Sequence, residues 1–544
     1  MPSIDDDGTG DSSVSRHSPT GTTRRDFLTV LFAAPALVGL ARKTAPVIAG
    51  GFVDDDSTVG HAIRDGKALS RAREQRRASV AIIGGGMGGL SAGWRLDAQG
   101  MRDWLLLELG GATGGNARSG ISDAGRFPWG AHYLPVPGPD ATHVRQLMRE
   151  LGVLDAAGEW DERTLCHSPQ ERLFQHGRWH EGLEPFDALT STERAQFARF
   201  TEQVAAWRAT GAFTVPTALG HAHLAAARGP MAQTVRDLDT MTADAWLRAQ
   251  GLSSPALRWW IEYGTRDDYG ASLTQASAWA AAHYFASREP EEQGPLTWPE
   301  GNDWIARQLT ARAGDRVFTG APAVQLERAG SKWIVRTPRV DVTCDVVIWA
   351  APLFALPKVL PTVQLPVTLD YAPWLVANIT LRRSPAEHGA PPAWDNVIYG
   401  SPYLGYVDAG HQSLGTRPDR RVWTWYHAVV DRTSSDGRRW LQQRSWSEWR
   451  DVIVHDLSRA HPDIAECVER IDIMRWGHAM ARPVPGVLDR VSRLQHWSPA
   501  PHVFVAHADL SGLSLFEEAQ WHGVAAADRA GQLLGSGRGR SSRT

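Results

Sequence analysis

The densest run of residues suited to holding a ligand lies between Ser79 and Glu108. A β-branched segment, Ser79-Val80-Ala81-Ile82-Ile83, opens directly into Gly84-Gly85-Gly86-Met87-Gly88-Gly89 and then into Leu90-Ser91-Ala92-Gly93-Trp94-Arg95-Leu96. That is the order strand, turn, helix. Gly84 permits a tight turn, Gly86 leaves room for a pyrophosphate against the backbone, Gly89 lets helix and strand pack closely, and Gly88 completes the run. The start of such a helix presents unpaired amides and a positive dipole to phosphates. Trp104-Leu105-Leu106-Leu107-Glu108 reads as the next strand. Its terminal carboxylate stands about 20 residues after Gly89, where it would grip adenosine ribose hydroxyls and repel a 2'-phosphate.

Further along come a second glycine pair, Gly114-Gly115-Asn116-Ala117-Arg118, and the segment Phe127-Pro128-Trp129-Gly130-Ala131-His132-Tyr133. Strand-like pieces return late, at Ala323-Val324-Gln325-Leu326, Asp345 to Pro352 and Val503 to Asp509, followed by Phe516-Glu517-Glu518-Ala519-Gln520-Trp521-His522-Gly523. In this order and spacing the motifs resemble the flavin-containing amine oxidase superfamily, which also includes phytoene-desaturase-like and protoporphyrinogen-oxidase-like enzymes. The resemblance implies a non-covalently held FAD. Gly114 and Gly115 would lie along its diphosphate and ribityl chain, and Gly130 and Ala131 under its ring. Val324 would meet adenine through its backbone, Asp509 would orient the ribityl or phosphate end, and Glu517 and Ala519 would start the helix beneath the ring. Asn116 stands where the family has Arg, and Arg118 is the candidate to replace it. Glu518 stands where Gly is usual.

The same resemblance frames the chemistry. None of the four lysines (Lys43, Lys67, Lys332, Lys358) falls where many relatives hold a water against the flavin with Lys; Ala377 or Asn378 takes that place. Arg475-Trp476-Gly477-His478 offers no Cys to tether a flavin. Asn378, Trp476 and His478 are therefore the candidate residues around the reacting atoms. His132 and Tyr133 either face substrate or pack. The expected activity is hydride removal from an organic substrate, in the manner of an amine oxidase or dehydrogenase. The alternatives are a desaturase or isomerase of an apolar polyene or tetrapyrrole, and a non-enzymatic exported electron carrier. A small aromatic cage beside a carboxylate would favour an amine; a wide apolar tunnel would favour the polyene.

These motifs require an α/β fold, a Rossmann-like two-dinucleotide domain assembled from separated segments, with an α+β substrate domain built on a mixed sheet. The boundaries read as a signal region over 1–47, a linker over 48–77, FAD-binding segments at 78–135, 296–360 and 485–536, substrate segments at 136–295 and 361–484, and a disordered tail at 537–544. Ala195 to Thr201 shows helical spacing, Thr242 reads as a helix cap, and Leu375 to Leu381 and Val422 to His427 alternate as strands. A length of 544 residues suits such a two-part enzyme. With 57 basic against 60 acidic side chains, the net charge of -3 gives no reason to expect a nucleic-acid partner. Cys166, Cys344 and Cys467 lack the spacing of a disulfide framework or zinc site, so no metal is expected.

Thr23-Arg24-Arg25-Asp26-Phe27-Leu28, followed by an apolar run to Ala41, looks like a twin-arginine export signal. The run is shorter than the ~20 residues of a membrane span. It implies the twin-arginine translocation machinery as a partner, a periplasmic or secreted destination, and no stable membrane span.

Overall fold

The computed structural model describes residues 47–53, 57–67, 69, 70, 72–185, 189–218, 230–288, 294–413, 420–495 and 497–541. The signal-like segment at 23–41, and Arg71 of the following basic cluster, lie outside the described residues. Among those described, no helix is long and apolar enough to cross a membrane.

Two sheets organise the fold. The first, of seven strands, follows the order Val317–Phe318, Trp104–Leu107, Glu74–Ile83, Val340–Trp349, Lys332–Arg336, Gln325–Ala329, with Val503–Val505 also paired to Val340–Trp349. Its centre is parallel: Glu74–Ile83 lies between Trp104–Leu107 and Val340–Trp349, and Val503–Val505 runs beside the end of the latter. Strands buried on both faces need continuous apolar runs, and Val80, Ala81, Ile82, Val346, Val347 and Ile348 are all fully buried. The helix Met87–Ala98 crosses over from Glu74–Ile83 to Trp104–Leu107. The long helix Phe516–Ser541 lies against it at a glycine pair: a Cβ on Gly88 would sit 2.1 Å from the Ala506 carbonyl oxygen, and one on Gly523 would sit 2.3 Å from that of Gly88. This mixed α/β architecture is the fold class read from the motifs.

The second sheet has eight strands, in the order Ala49–Phe52, Val468–Arg482, Asp370–Leu381, Arg421–Ala428, Tyr406–Asp408, Asp395–Ile398, Glu171–Gln175, Arg178–Glu181. It is mixed, with parallel pairs at Ala49–Phe52 with Val468–Arg482 and at Asp395–Ile398 with Glu171–Gln175. Helices Ser434–Gln443 and Pro255–Tyr269 pack on it, and beyond the latter lies a helical cluster that includes Ser191–Arg208, entered through a Thr190/Glu193 capping box, and Ala243–Ala249, capped by the Thr242 hydroxyl on the Ala245 amide.

The stretch read as a linker, 48–77, differs from expectation. It supplies the edge strand Ala49–Phe52, the helix Ser57–Arg64 and the first residues of the strand Glu74–Ile83. Its polar, low-hydrophobicity sequence hides the strand because an edge strand needs backbone pairing more than apolar side chains. The tail read from 537 is helical as far as Ser541.

Candidate active site

A cavity of about 1350 Å³ opens where the parallel strands end, at Ile83, Leu107 and Trp349. This is the place where open α/β sheets hold ligands. The volume exceeds the ~300–1,000 Å³ of a site for one small molecule, which leaves room for a dinucleotide and a second ligand.

Backbone forms one end of it. Gly84 takes φ +108° and Gly114 φ +110°, conformations that L side chains rarely adopt. They turn two loops toward each other so that the Gly114 amide donates to the Gly85 carbonyl at 2.8 Å and Gly86 bridges to Gly114. The N-cap of Met87–Ala98 is Gly86, with no side chain capping the first-turn amides, so those donors face the cavity. Glu108 lies on the wall and accepts from the Gly85 amide at 2.6 Å and the Gly110 amide at 2.8 Å, which fix its carboxylate beside the glycine turn. Gly89 is close-packed as expected, since a Cβ there would meet the Gly84 carbonyl oxygen at 1.9 Å. A side-chain-free slot with open amides and a fixed carboxylate fits a dinucleotide.

Asp509 continues the wall. One of its carboxylate oxygens, Oδ2, accepts from the Leu353 amide at 2.8 Å and the Tyr371 hydroxyl at 2.7 Å. The other, Oδ1, is buried and has no hydrogen-bond partner, although the His507 ring lies 3.2 Å away and would pair with it when protonated. Burial opposes its charge, but His507, the Leu353 amide and the Tyr371 hydroxyl together hold it below the usual carboxylate range. An orphaned, ionised oxygen on this wall fits a hydroxyl-bearing chain. Gly115, Gly130, Ala131 and Ala519 line the cavity beyond it.

Side chains form the far end. Asp267 and Asp268 project from the helix Pro255–Tyr269 and both line the cavity. Arg288 pairs with Asp268 at 2.9 Å and donates to the Tyr133 hydroxyl at 3.2 Å, while that hydroxyl donates to Asp268 at 3.1 Å. Burial, reinforced by the Asp268 charge, pushes Asp267 up to about 7. Glu517, only 4 % exposed, also lines the cavity, and burial pushes it up to about 8. His132 stacks on Tyr426 with centroids 4.9 Å apart and 29° between planes, and burial lowers it to about 4. Tyr133 and Trp374 complete this aromatic wall.

The remaining expected residues divide. Trp476 lines the cavity and is fixed by donating to the Trp129 carbonyl at 2.7 Å; His478 lines it too, stacked 4.4 Å from Phe354. Asn378 does not line it. Buried mid-strand, Asn378 donates to the Pro128 carbonyl at 3.0 Å and accepts from Thr424 at 2.8 Å, so its amide clips the second sheet to the Phe127–Gly130 segment. Arg118 is also off the wall, its guanidinium 5.3 Å from the Trp476 ring, while Asn116 ties the second glycine loop to the Ala479 carbonyl. Val324 is replaced on the wall by Ala323, because the Val324 amide already donates to Arg336 at 2.9 Å. Glu518 turns away from the cavity and binds the Ser511 hydroxyl at 2.5 Å and the Thr217 amide at 2.6 Å.

Asp267, Asp268 and Arg288 escape a reading by motif, since they converge from separate helical and loop segments. The one local hint is an Asp-Asp pair on a helix whose neighbours Tyr263, Gly264, Thr265, Arg266 and Tyr269 are buried.

Residues 87–530 match the model of the flavin containing amine oxidoreductase family. No curated protein is similar enough in sequence to count as a relative. Among solved structures, putrescine oxidase bound to putrescine is 17% identical, covering 84% of this chain and 99% of its own, with a TM-score of 0.62. Cyclohexylamine oxidase from Brevibacterium oxydans IH-35A is 16% identical with the same coverages and the same TM-score. A putative protoporphyrinogen oxidase from Exiguobacterium sp. 255-15 is 15% identical over 84% of this chain and 98% of its own, with a TM-score of 0.59. At these identities the likeness is one of fold. With the family model matching well over half of the chain, the chain belongs to the flavin containing amine oxidoreductases.

Proposed function

We propose that this protein is an exported oxidase or dehydrogenase of a small organic amine, using dissociable FAD. The observation that carries the substrate class is Asp267, a cavity-facing carboxyl set among His132, Tyr133, Trp374 and Tyr426. Such a carboxyl beside aromatic faces suits an ammonium ion, which gains from both charge and ring quadrupole. Dissociable FAD is supported by the absence of any cysteine among the residues lining the cavity. Export rests on the Arg24-Arg25 segment of the sequence.

In this reading Gly84 to Gly88, Gly114, Gly115 and Glu108 hold the nucleotide half of the cofactor, and Asp509 and the first turn of Phe516–Ser541 hold the flavin half. Bound flavin supplies the acceptor for two electrons from a carbon–hydrogen bond beside nitrogen. Asp267, poised near neutrality, accepts a proton from the substrate ammonium, leaving the nitrogen lone pair free. Arg288 pairs with Asp268, and the Asp268 carboxylate beside Asp267 adds to burial in holding Asp267 high. The stacked His132 and Tyr426 exclude water and fix the substrate's approach.

The test is anaerobic mixing of the FAD-loaded protein with pools of amines, amino acids and polyenes while flavin absorbance is followed. Bleaching by an amine is expected, and Asp267→Asn should slow it by ~10² or more. Bleaching by polyenes alone, or by no small molecule, overturns the reading.

A further inference from the structure

A proton accepted by Asp267 arrives beside the aromatic wall of the cavity, and it must leave before the next turnover. Behind Asp267 stand groups that the reaction just described does not use. Tyr263 lies one helical turn before Asp267 on Pro255–Tyr269, at the i, i+4 spacing that places side chains on one face. Its hydroxyl donates to Asp395 Oδ2 at 3.1 Å. Asp395 opens the strand Asp395–Ile398, and its register partner on the adjacent parallel strand is Glu171. Partners in register point to the same face of a sheet. Glu171 is exposed to solvent.

We infer that Asp267, Tyr263, Asp395 and Glu171 form a proton exit leading from the substrate chamber to the protein surface. This rests on the amine reading given above. The step balances without any co-reactant. The ammonium N–H bond breaks and the proton joins the Asp267 carboxylate. That proton passes to the Tyr263 oxygen as Tyr263 gives its own hydrogen to Asp395, and Asp395 passes a proton to Glu171 and water. Tyr263 stays neutral throughout.

The electrostatics are consistent with such a path. Asp267 faces Asp268, Arg288, Glu171 and Tyr133, with the buried Arg266 next to it on the same helix, and Arg288 is paired with Asp268. Asp395 faces Glu171, Asp267 and Tyr263, and burial, reinforced by the Glu171 and Asp267 charges, raises it well above the usual carboxylate range. Tyr263 is likewise raised by burial and by Asp395, Asp267 and Glu171. Burial makes the ionised form of these carboxyls costly, so they carry protons readily. A purely structural pair at Tyr263 and Asp395 would need neither the cavity wall at one end nor an exposed carboxylate at the other.

The experiment follows flavin bleaching and, with an indicator dye in weakly buffered solution, proton release during one anaerobic turnover of an amine. In the parent protein both signals should rise together. In Tyr263→Phe and Asp395→Asn, proton release should lag bleaching by ~10-fold or more, with a smaller lag in Glu171→Gln and recovery on adding formate. Phe keeps the ring stacked on Trp259, and Asn keeps an acceptor for Tyr263, so both variants should fold. Coincident signals in all three variants overturn the exit. A second measurement needs no substrate: infrared difference spectra of the FAD-loaded protein between pH 5 and 9. These should lose one protonated-carboxyl band in Asp267→Asn and another in Asp395→Asn. Absence of both bands from the parent overturns the exit even if the substrate is not an amine, whereas bands present with no amine bleaching the flavin overturn only the functional reading.

Discussion

The two ends of the cavity are made of different material. At the nucleotide end the wall is backbone: glycine turns, uncapped helix amides and one carboxylate whose oxygens are fixed by the Gly85 and Gly110 amides. At the far end it is side chain: Asp267, Asp268, Arg288, Glu517 and a set of rings. A backbone wall tolerates almost no added atoms but is indifferent to pH. A side-chain wall tolerates substitution but depends on protonation, because its carboxyls are buried.

The largest expected effect tests the first half of that contrast. Gly88→Val would put atoms within 2.1 Å of the Ala506 carbonyl oxygen, where two helices and a strand end meet. The variant should be recovered without bound flavin and with a markedly lowered melting temperature, whereas Gly51→Ala, whose Cβ meets nothing within 4 Å, should match the parent. Full flavin retention in Gly88→Val would break the comparison.

Next is Glu108→Gln. One carboxylate acceptor becomes an NH2 facing an amide N–H, the other loses its charge, and the ribose loses its anionic partner, so flavin affinity should fall by ~1–3 kcal/mol, roughly 5- to 160-fold in Kd by fluorescence titration. An unchanged Kd would move the adenosine elsewhere.

The smallest effect concerns the side-chain end and is one of slope. The folded-state value of Glu517 is raised to about 8, so the folded protein binds this proton more tightly than the unfolded chain. Its contribution to stability is full below the unfolded carboxyl value and is lost as pH rises toward about 8. The melting temperature of flavin-free protein should therefore decline between pH 5 and 9, and decline less in Glu517→Gln. Parallel curves for the two proteins would show that Glu517 is ionised throughout.

The same contrast explains what could be read from the chain. Gly84 to Gly89 and Glu108 are legible because strand, turn, helix and acid are contiguous, and local geometry dictates their residue types. The late helix at Phe516 and Asp509 are legible for the same reason. Arg118, Val324 and Asn378 were expected at the cofactor or substrate and lie off the wall. Each is a single residue whose polar atoms or charge found another partner within the fold, the Trp476 ring, the Arg336 carbonyl, and Pro128 with Thr424. Asp267 and Arg288 are invisible for the opposite reason: neither sits in a pattern, and only the packing of Pro255–Tyr269 against the cavity brings them together. Glu518 departs from the family's pattern, and the structure gives it the Ser511 hydroxyl as a partner, shared with His522.

The junction of Met87–Ala98 with Phe516–Ser541 has a consequence for biosynthesis. The first glycine turn emerges from the ribosome well before the strand Val503–Val505 and the helix that closes over Gly88. A nascent chain halted before Val503 has half a pocket and a bare central strand edge. Secure flavin capture must then wait until Phe516–Ser541 has been made and packed against Met87–Ala98.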